Sequence, residues 1–372
     1  MNFEEIRHKM TENQVYLGIE LGDLDIFEAY KNPDAKPENG FYTDFSGVRT
    51  RLSYFGMQAH PGERKVGALP FPDDALHAET IEYLAALKAV ESADQRFTAV
   101  ELGAGYGPWT VFSACAARRK GIPQIDLLAV EADRPRLALI ESNLSDNDLP
   151  TPDEQGKGSL DGITINVTHG AVSDQNGTTS FGSQSITDWG AGVIEDGGDI
   201  DYRGVRVETE LVNTYSIETI LRNTSLVDFL HMDIQGFEYR AVRASMDTLQ
   251  RKVRIMLIAT HSRKIEGELM GLLHQRGWTL MYEKPCKFRP GETKELSAST
   301  YLDGTQVWVN TSLGEPTQVV DDMITMQEKH EKDLEEMRNL HQGELHAIKN
   351  STSWRISAPL RWVKSTLSSR GQ

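Results

Sequence analysis

At 372 residues the chain has room for one sizeable α/β domain with appendages, or for two domains. Its formal net charge of −16 excludes a general nucleic-acid binder, which needs a basic face to displace counterions. No apolar run approaches the ~20 residues of a membrane span. The opening residues hold no apolar signal-type core, and Cys115 and Cys286 lack metal or redox spacing, so a reducing cytoplasm is the expectation.

Residues 1–95 are mixed in character and read as an N-terminal arm that covers the substrate. Gly40 to Arg51 alternates aromatic and polar residues, and a Pro- and Gly-rich run then leads to Asp74. Asp74 is placed to cap a helix in which Ile81, Leu84, Leu87 and Val90 recur at helical spacing. His77, Glu79 and Tyr83 share that helix, where a solvated face is the simplest reading of each. His77 is the candidate substrate contact among them.

From residue 97 strands and helices alternate, the pattern of a parallel sheet covered on both faces. Ala99, Val100 and Leu102 end in a glycine turn, Gly103, Gly105 and Gly107, and a helical run follows from Trp109 to about Arg119. Strand, glycine turn and helix in this order suit a nucleotide-type ligand, because the helix N-terminus offers free N–H groups. In a dinucleotide fingerprint, G-x-G-x-x-G, the last glycine would fall on Pro108. The chain reads E-x-G-x-G-x-G instead, with Glu101 two residues ahead of the first glycine. An acid there would repel a pyrophosphate but suit a cationic amine and a sulfonium. S-adenosylmethionine therefore fits better than a nicotinamide dinucleotide, with Glu101, Gly103, Ala104 and Gly105 at its methionine end.

Ile125 to Glu131 forms the second strand, and an acid at its end is expected to accept the ribose hydroxyls, with Ala132 beside it. Arg134 to Asn143 reads as a helix, Pro150 to Gly162 as a loop, and Ile163 to His169 as the third strand. The adenine is expected near Ala171. Asn176-Gly177 signals a hairpin, and the Gly- and Asp-rich stretch from Ser183 to Gly204 reads as a lid or acceptor-binding loop with Trp189 at its centre.

Val205 to Val212 is strand-like and Ser216 to Arg222 a short helix. The apolar run from Val227 then closes on His231, Asp233, Gln235 and Glu238. Ligands of open α/β sheets sit at the carboxyl ends of strands, which places Asp233 on the site side and His231 on the same face. His261 ends the next strand, Arg254 to His261. Asp233 and His261 are the candidate general bases, with His231 third; Asp233 is also a candidate cofactor contact, and Gln235 and Glu238 are candidate substrate contacts. Asp233, His261 and Glu238 could alternatively hold a divalent metal, although no ligand spacing demands one. A helix from Ile265 to Gln275 and strands near Trp278–Tyr282 and Gln306–Asn310 close the domain, read as 96–315.

Residues 316–349 are charge-dense, with Val320, Ile324, Leu334, Leu345 and Ile348 on an imperfect heptad seam that suits self-association or docking through 319–349. Residues 350–372 contain no acid and interleave Trp354 and Trp362 with Arg355 and Arg361, as a peripheral membrane contact or a partner groove would require.

These motifs, in this order, resemble the FkbM-type methyltransferases across about 97–310. The resemblance rests on Val100 to Gly107, Glu131, Ala171 to Gly177, and Asp228 to Glu238, which is similar to the family segment D-[FL]-[IL]-K-[IM]-D-[VI]-[EQ]-G-x-E. His231 departs from the family's frequent lysine. The resemblance implies a class I, Rossmann-like methyltransferase sheet with helices on both faces, flanked here by the N-terminal arm and the C-terminal helix. It implies methyl transfer from S-adenosylmethionine to a sugar hydroxyl. The tail from Ser351 to Arg361 is similar to a segment of bacterial polysaccharide-assembly enzymes, which points to an O-antigen-like surface glycan as acceptor. The alternative is an adapter that keeps the pocket but organises a glycan-assembly complex through its helix and tail.

Overall fold

The computed structural model describes residues 16–20, 22–57, 78–183, 185–194, 198, 206–291 and 299–313. They all lie in Met1–Gly314, the first of two compact units into which the chain divides. His77, Asp74, the heptad-like stretch and the basic tail fall outside the described residues.

The central sheet has eight strands: β3 (Arg96–Leu102), β4 (Gln124–Glu131), β5 (Lys157–Leu160), β6 (Ile163–His169), β11 (Val227–Met232), β12 (Val253–Thr260), β13 (Trp278–Lys284) and β16 (Gly304–Asn310). Their order is β13-β16-β12-β11-β3-β4-β6-β5. Strands β6, β4, β3, β11 and β12 are parallel, and β16 runs antiparallel between β12 and β13. All residues of β11 and all but Arg96 of β3 are buried, as strands covered on both faces must be.

Four smaller strands and their neighbours complete the chain order: β1 (Phe41–Thr43) pairs with β2 (Arg49–Arg51), and β14 (Lys287–Phe288) with β15 (Thr300–Leu302). A second sheet combines β7 (Ala171–Ser173), β8 (Gly177–Ser183), β9 (Gly192–Ile194) and β10 (Glu208–Ser216) in the order β7-β10-β8-β9. The Asn176-Gly177 turn therefore does not join paired neighbours, because β10 lies between β7 and β8. The Asn176 side chain ties the turn to the end of β10 instead, accepting from Ser216 N (3.0 Å) and donating to Thr219 Oγ1 (2.8 Å). The stretch read as a loop before Gly162 contains β5, which pairs antiparallel with β6.

Helix α1 (Asp23–Tyr30) precedes β1, and α2 (Thr80–Ser92) precedes β3. Helix α2 begins at Thr80, so Asp74 is not its cap. Glu79 and Glu82 form a reciprocal capping box there, which satisfies backbone donors of the first turn. Tyr83 is fully buried rather than solvated, ringed edge-on by Phe45, Trp109 and Phe112 at 4.9–5.4 Å. Helix α3 (Pro108–Lys120) follows the glycine turn and packs beside α2. Helix α4 (Arg134–Asp146) follows β4, and α5 (Ile217–Ile220) precedes β11. Helices α6 (Glu238–Ala244), α7 (Met246–Lys252) and α8 (Arg263–Gln275) bury Val242, Leu249, Leu269 and Leu273 in one apolar cluster with Val100, Leu102, Leu230 and Met232. The alternate residues Glu101 and His231 pair in register on the adjacent strands β3 and β11.

Candidate active site

The carboxyl ends of β3, β4 and β11 border a cavity of about 320 Å³, within the range of small-molecule sites. Its wall includes Glu101, Gly103, Ala104, Gly105, Glu131, Ala132, Ala171, Trp189, His231, Asp233 and Gln235, which were singled out from sequence. Phe55, Glu82, Tyr106, Arg136 and Ala191 also line it without having carried a sequence signal.

The glycines act in two ways. A Cβ on Gly103 (φ +77°) would sit 1.8 Å from the Asp233 carbonyl oxygen. That glycine is required by the chain's own crossing, where Asp233 N also donates to Leu102 O at 2.9 Å. Gly105 (φ +58°) faces the cavity, and its Cβ would meet only the Trp189 ring, at 3.2 Å.

The expectation of free N–H groups at the N-terminus of α3 is corrected. Pro108 has no N–H, and Trp109 N and Thr110 N donate to the two Glu101 oxygens at 3.1 and 2.8 Å, with the Thr110 hydroxyl adding a third bond. Burial pushes the Glu101 carboxyl up from its ordinary range, against the opposing pull of His231 and Thr110.

Glu131 accepts from Gly105 N and Asp133 N, both at 2.6 Å. Burial raises it to about 7, with Arg136 and those backbone donors opposing. A carboxylate has about four lone-pair positions, so two backbone bonds leave acceptor capacity for hydroxyls. Beside it Ala132, Ala171, Phe181 and Ala191 form a small apolar cluster with Val193, a slot for a flat apolar ring.

Trp189 lies over Gly105 at this end of the cavity. The guanidinium of Arg136 stacks over its ring at 4.6 Å and donates to Asp188 O, and Tyr106 and Phe55 pack against it at 5.3 and 6.1 Å. Arg136 thereby pins the 185–194 segment across the glycine turn.

At the other end, His261 Nε2 lies 3.3 Å from Asp233 Oδ1 and its Nδ1 lies 2.9 Å from Glu238 Oε1. Burial acts to lower the His261 imidazole, but Glu238 and Asp233 raise it well above its ordinary value, so it holds a proton. Burial acts to raise Asp233, yet the His261 bond, His261's charge and His231 outweigh it and leave the carboxyl lowered. The Asp233 side chain is 38% exposed and lines the cavity, whereas that of His261 is 3% exposed and does not. His261 thus stands behind Asp233 and reaches the cavity through it.

Glu238 is fully buried and does not touch the cavity; it accepts from Ile234 N (3.3 Å) and Gly236 N (3.0 Å) and shapes the turn after β11. It supports that turn and His261. Gln235 does line the cavity, holds a left-handed φ of +53°, and donates to Asp233 Oδ1 at 2.9 Å. A non-glycine residue in that region is stored strain of the kind found at functional sites. Asp233, Glu238 and His261 also offer ligand-type atoms within 4.8 Å of one another.

Five parallel strands in the order 3-2-1-4-5 about the glycine turn, a last strand reversed between the fifth and sixth, and an acid ending the second strand define a class I methyltransferase. The chain belongs to the FkbM methyltransferase family. The Methyltransferase FkbM domain model matches residues 101–283. A protein of Jannaschia sp. (strain CCS1), assigned as a methyltransferase, is 31% identical over 267 residues, covering 70% of this chain and 88% of its own. Among solved structures, methyltransferase FkbM from Methylobacillus flagellatus KT overlaps with 13% identity over 57% of this chain and 44% of its own, at a TM-score of 0.32. A precorrin-6y C5,15-methyltransferase from Geobacter metallireducens GS-15 overlaps with 9% identity over 64% and 91%, at 0.33. The fold assignment rests on the strand order rather than on these overlaps. Among the described residues no helix is long and apolar enough to cross a membrane.

Proposed function

We propose that the chain is an S-adenosylmethionine-dependent O-methyltransferase whose acceptor is a sugar hydroxyl of a bacterial surface polysaccharide or glycolipid. The observation that carries O-methylation is the Asp233 carboxylate, exposed to the cavity and hydrogen bonded to His261, which is itself held by Glu238.

The cavity fits the cofactor on its own chemistry. Trp189 Nε1 and His231 Nδ1 are buried polar atoms without a hydrogen-bond partner among the described residues, in a wall that otherwise joins an apolar slot to acids. Glu131 would take the ribose hydroxyls, the Ala132–Ala171–Phe181–Ala191 slot the adenine, and Gly105 would let the ligand approach the backbone. S-adenosylmethionine, when bound, supplies a methyl group on a sulfonium, a leaving group good enough for in-line attack by an oxygen.

The chain's own task is then alignment and proton removal. Asp233, lowered in pKa and fixed by His261 and Gln235, stays ionised through neutral pH, where it would orient an acceptor hydroxyl and take its proton as the methyl transfers and the oxygen turns acidic. His261 offsets negative charge at Asp233 and orients it, while Glu238 fixes the imidazole. A divalent cation on Asp233, Glu238 and His261 is the second reading, favoured by their mutual spacing. The protonated imidazole is preferred because both of its nitrogens already face carboxylates.

The glycan acceptor is supported by the family and by the resemblance of the tail to polysaccharide-assembly enzymes. Oligomerisation through 319–349 and membrane contact through 350–372 belong to the same proposal. Incubating the full chain with S-adenosylmethionine and a panel of surface glycans, with and without a chelator, tests it. Mass gain of one methyl on a sugar hydroxyl is the expected result. Cofactor binding without methylation of any hydroxyl acceptor would overturn the O-methyl reading, and no cofactor binding would bring the adapter forward.

A further inference from the structure

The amino-acid head of S-adenosylmethionine carries both a carboxylate and an ammonium, and the cavity must receive both. The acids Glu82, Glu101 and Asp233 are plentiful for the ammonium and sulfonium. Partners for the carboxylate are scarce. Arg136 and His231 are the cavity's basic side chains among the described residues. Arg136 is stacked on Trp189 and paired with Asp133 at 3.4 Å, which commits it to the ribose end. The usual anion site, a helix N-terminus, is occupied by the Glu101 carboxyl.

His231 remains. It is buried, and its ring lies 5.6 Å from that of Trp109. Its Nε2 stands 3.4 Å from Glu82 Oε1, and its Nδ1 has no hydrogen-bond partner among the described residues. A buried ring nitrogen left unpaired is costly unless a ligand completes it. Glu82 spends its Oε2 on Glu79 N at 2.8 Å, the capping-box bond, so the second lone pair of Oε1, beside the His231 contact, is left for an ammonium.

We propose that His231 and Glu82 form the subsite for the amino-acid head, His231 holding the α-carboxylate through Nδ1 and Glu82 the ammonium. This rests on the methyltransferase reading above and adds the residues that would distinguish the intact cofactor from its headless adenosine thioether.

Titration calorimetry of the full chain with S-adenosylhomocysteine and with 5′-methylthioadenosine tests the assignment, since the two share the adenosine thioether and differ in the head. Wild type is expected to prefer S-adenosylhomocysteine. His231→Leu should weaken S-adenosylhomocysteine roughly tenfold or more while leaving 5′-methylthioadenosine within about threefold. His231→Lys, which places a cation at the same position, should retain most of the preference. Unaltered 5′-methylthioadenosine binding also reports an intact site. A preference that survives His231→Leu would overturn the subsite, as would parallel loss of both ligands in the Leu and Lys variants. A wild type that binds the two ligands equally would also overturn it. A wild type that binds neither would refute the cofactor reading itself, a different result.

Discussion

Replacing Gly103 and Gly105 separately by alanine distinguishes a glycine kept for the chain's own geometry from one kept for a ligand. At Gly103 the new methyl would begin 1.8 Å from the Asp233 carbonyl oxygen and must reach at least 3.0 Å, so the two strand ends must part by more than an ångström. That movement stretches the Asp233 N to Leu102 O bond, worth roughly 1–3 kcal/mol when a buried group is left unmet. The left-handed φ adds about 1–2 kcal/mol for any residue with a Cβ. Gly103→Ala should therefore lose roughly 2–5 kcal/mol of stability, and Asp233 would be displaced as well. Gly105→Ala bears the same backbone term, but its Cβ meets only the edge of Trp189 at 3.2 Å, so about 1–2 kcal/mol is expected. Its larger effect should be on cofactor affinity, because that methyl points at the cavity. Urea unfolding of both variants, beside calorimetry with S-adenosylhomocysteine, measures the two quantities. The reasoning fails if Gly103→Ala is as stable as wild type, or if Gly105→Ala is the more destabilised of the two.

Asp233→Asn should reduce the rate constant for methyl transfer by about 10²–10⁴-fold, whereas His261→Gln should cost less, since it acts through Asp233; rapid-quench kinetics on the two compares them. The free protein should lose stability between pH 4.5 and about 7, because Glu131 binds its proton more tightly folded than unfolded and that advantage disappears as the pH rises past its folded value. A shift of that size is worth about 3 kcal/mol, and Glu131→Gln should flatten the unfolding profile in this window. Cofactor affinity should rise over the same interval as the carboxylate becomes the better acceptor for ribose hydroxyls, which calorimetry at pH 6 and pH 8 would show. Glu101→Ala should destabilise the fold by about 1–3 kcal/mol by leaving Trp109 N and Thr110 N unmet, read by chemical denaturation.

The strands were legible from sequence because both-face burial writes itself as an apolar run: Val227 to Met232 and Arg254 to Thr260 announce themselves. The glycine turn and Glu131 were legible for the same reason, since each lies at the end of such a run. What escaped were relations between residues remote along the chain. Glu82 meets His231 across 149 positions, and Arg136 meets Asp188 across 52, distances over which periodicity carries no information. The Asn176-Gly177 turn was misread because a turn signal describes the bend, while strand β10, supplied by residues 208–216, determines what lies between its arms. His261 was rightly placed at a strand end, but which of two neighbouring polar groups faces the cavity is settled by packing. Glu101 showed the reverse case: its position was plain, and its bonding to α3 was not.

The reversed strand β16 has a consequence for synthesis of the chain. It lies between β12 and β13 but is made after both, so β12 has no neighbour on that side until Asn310 has been added. At about 5–20 residues per second, the roughly 50 residues separating the end of β12 from the end of β16 take about 3–10 s. Throughout that interval the nascent chain presents the apolar edge of Ile255 to Ile258 as a template for foreign strands. Slow codons between 261 and 303 would lengthen the exposure and fast ones shorten it, so the yield of native protein should depend on translation speed over this stretch.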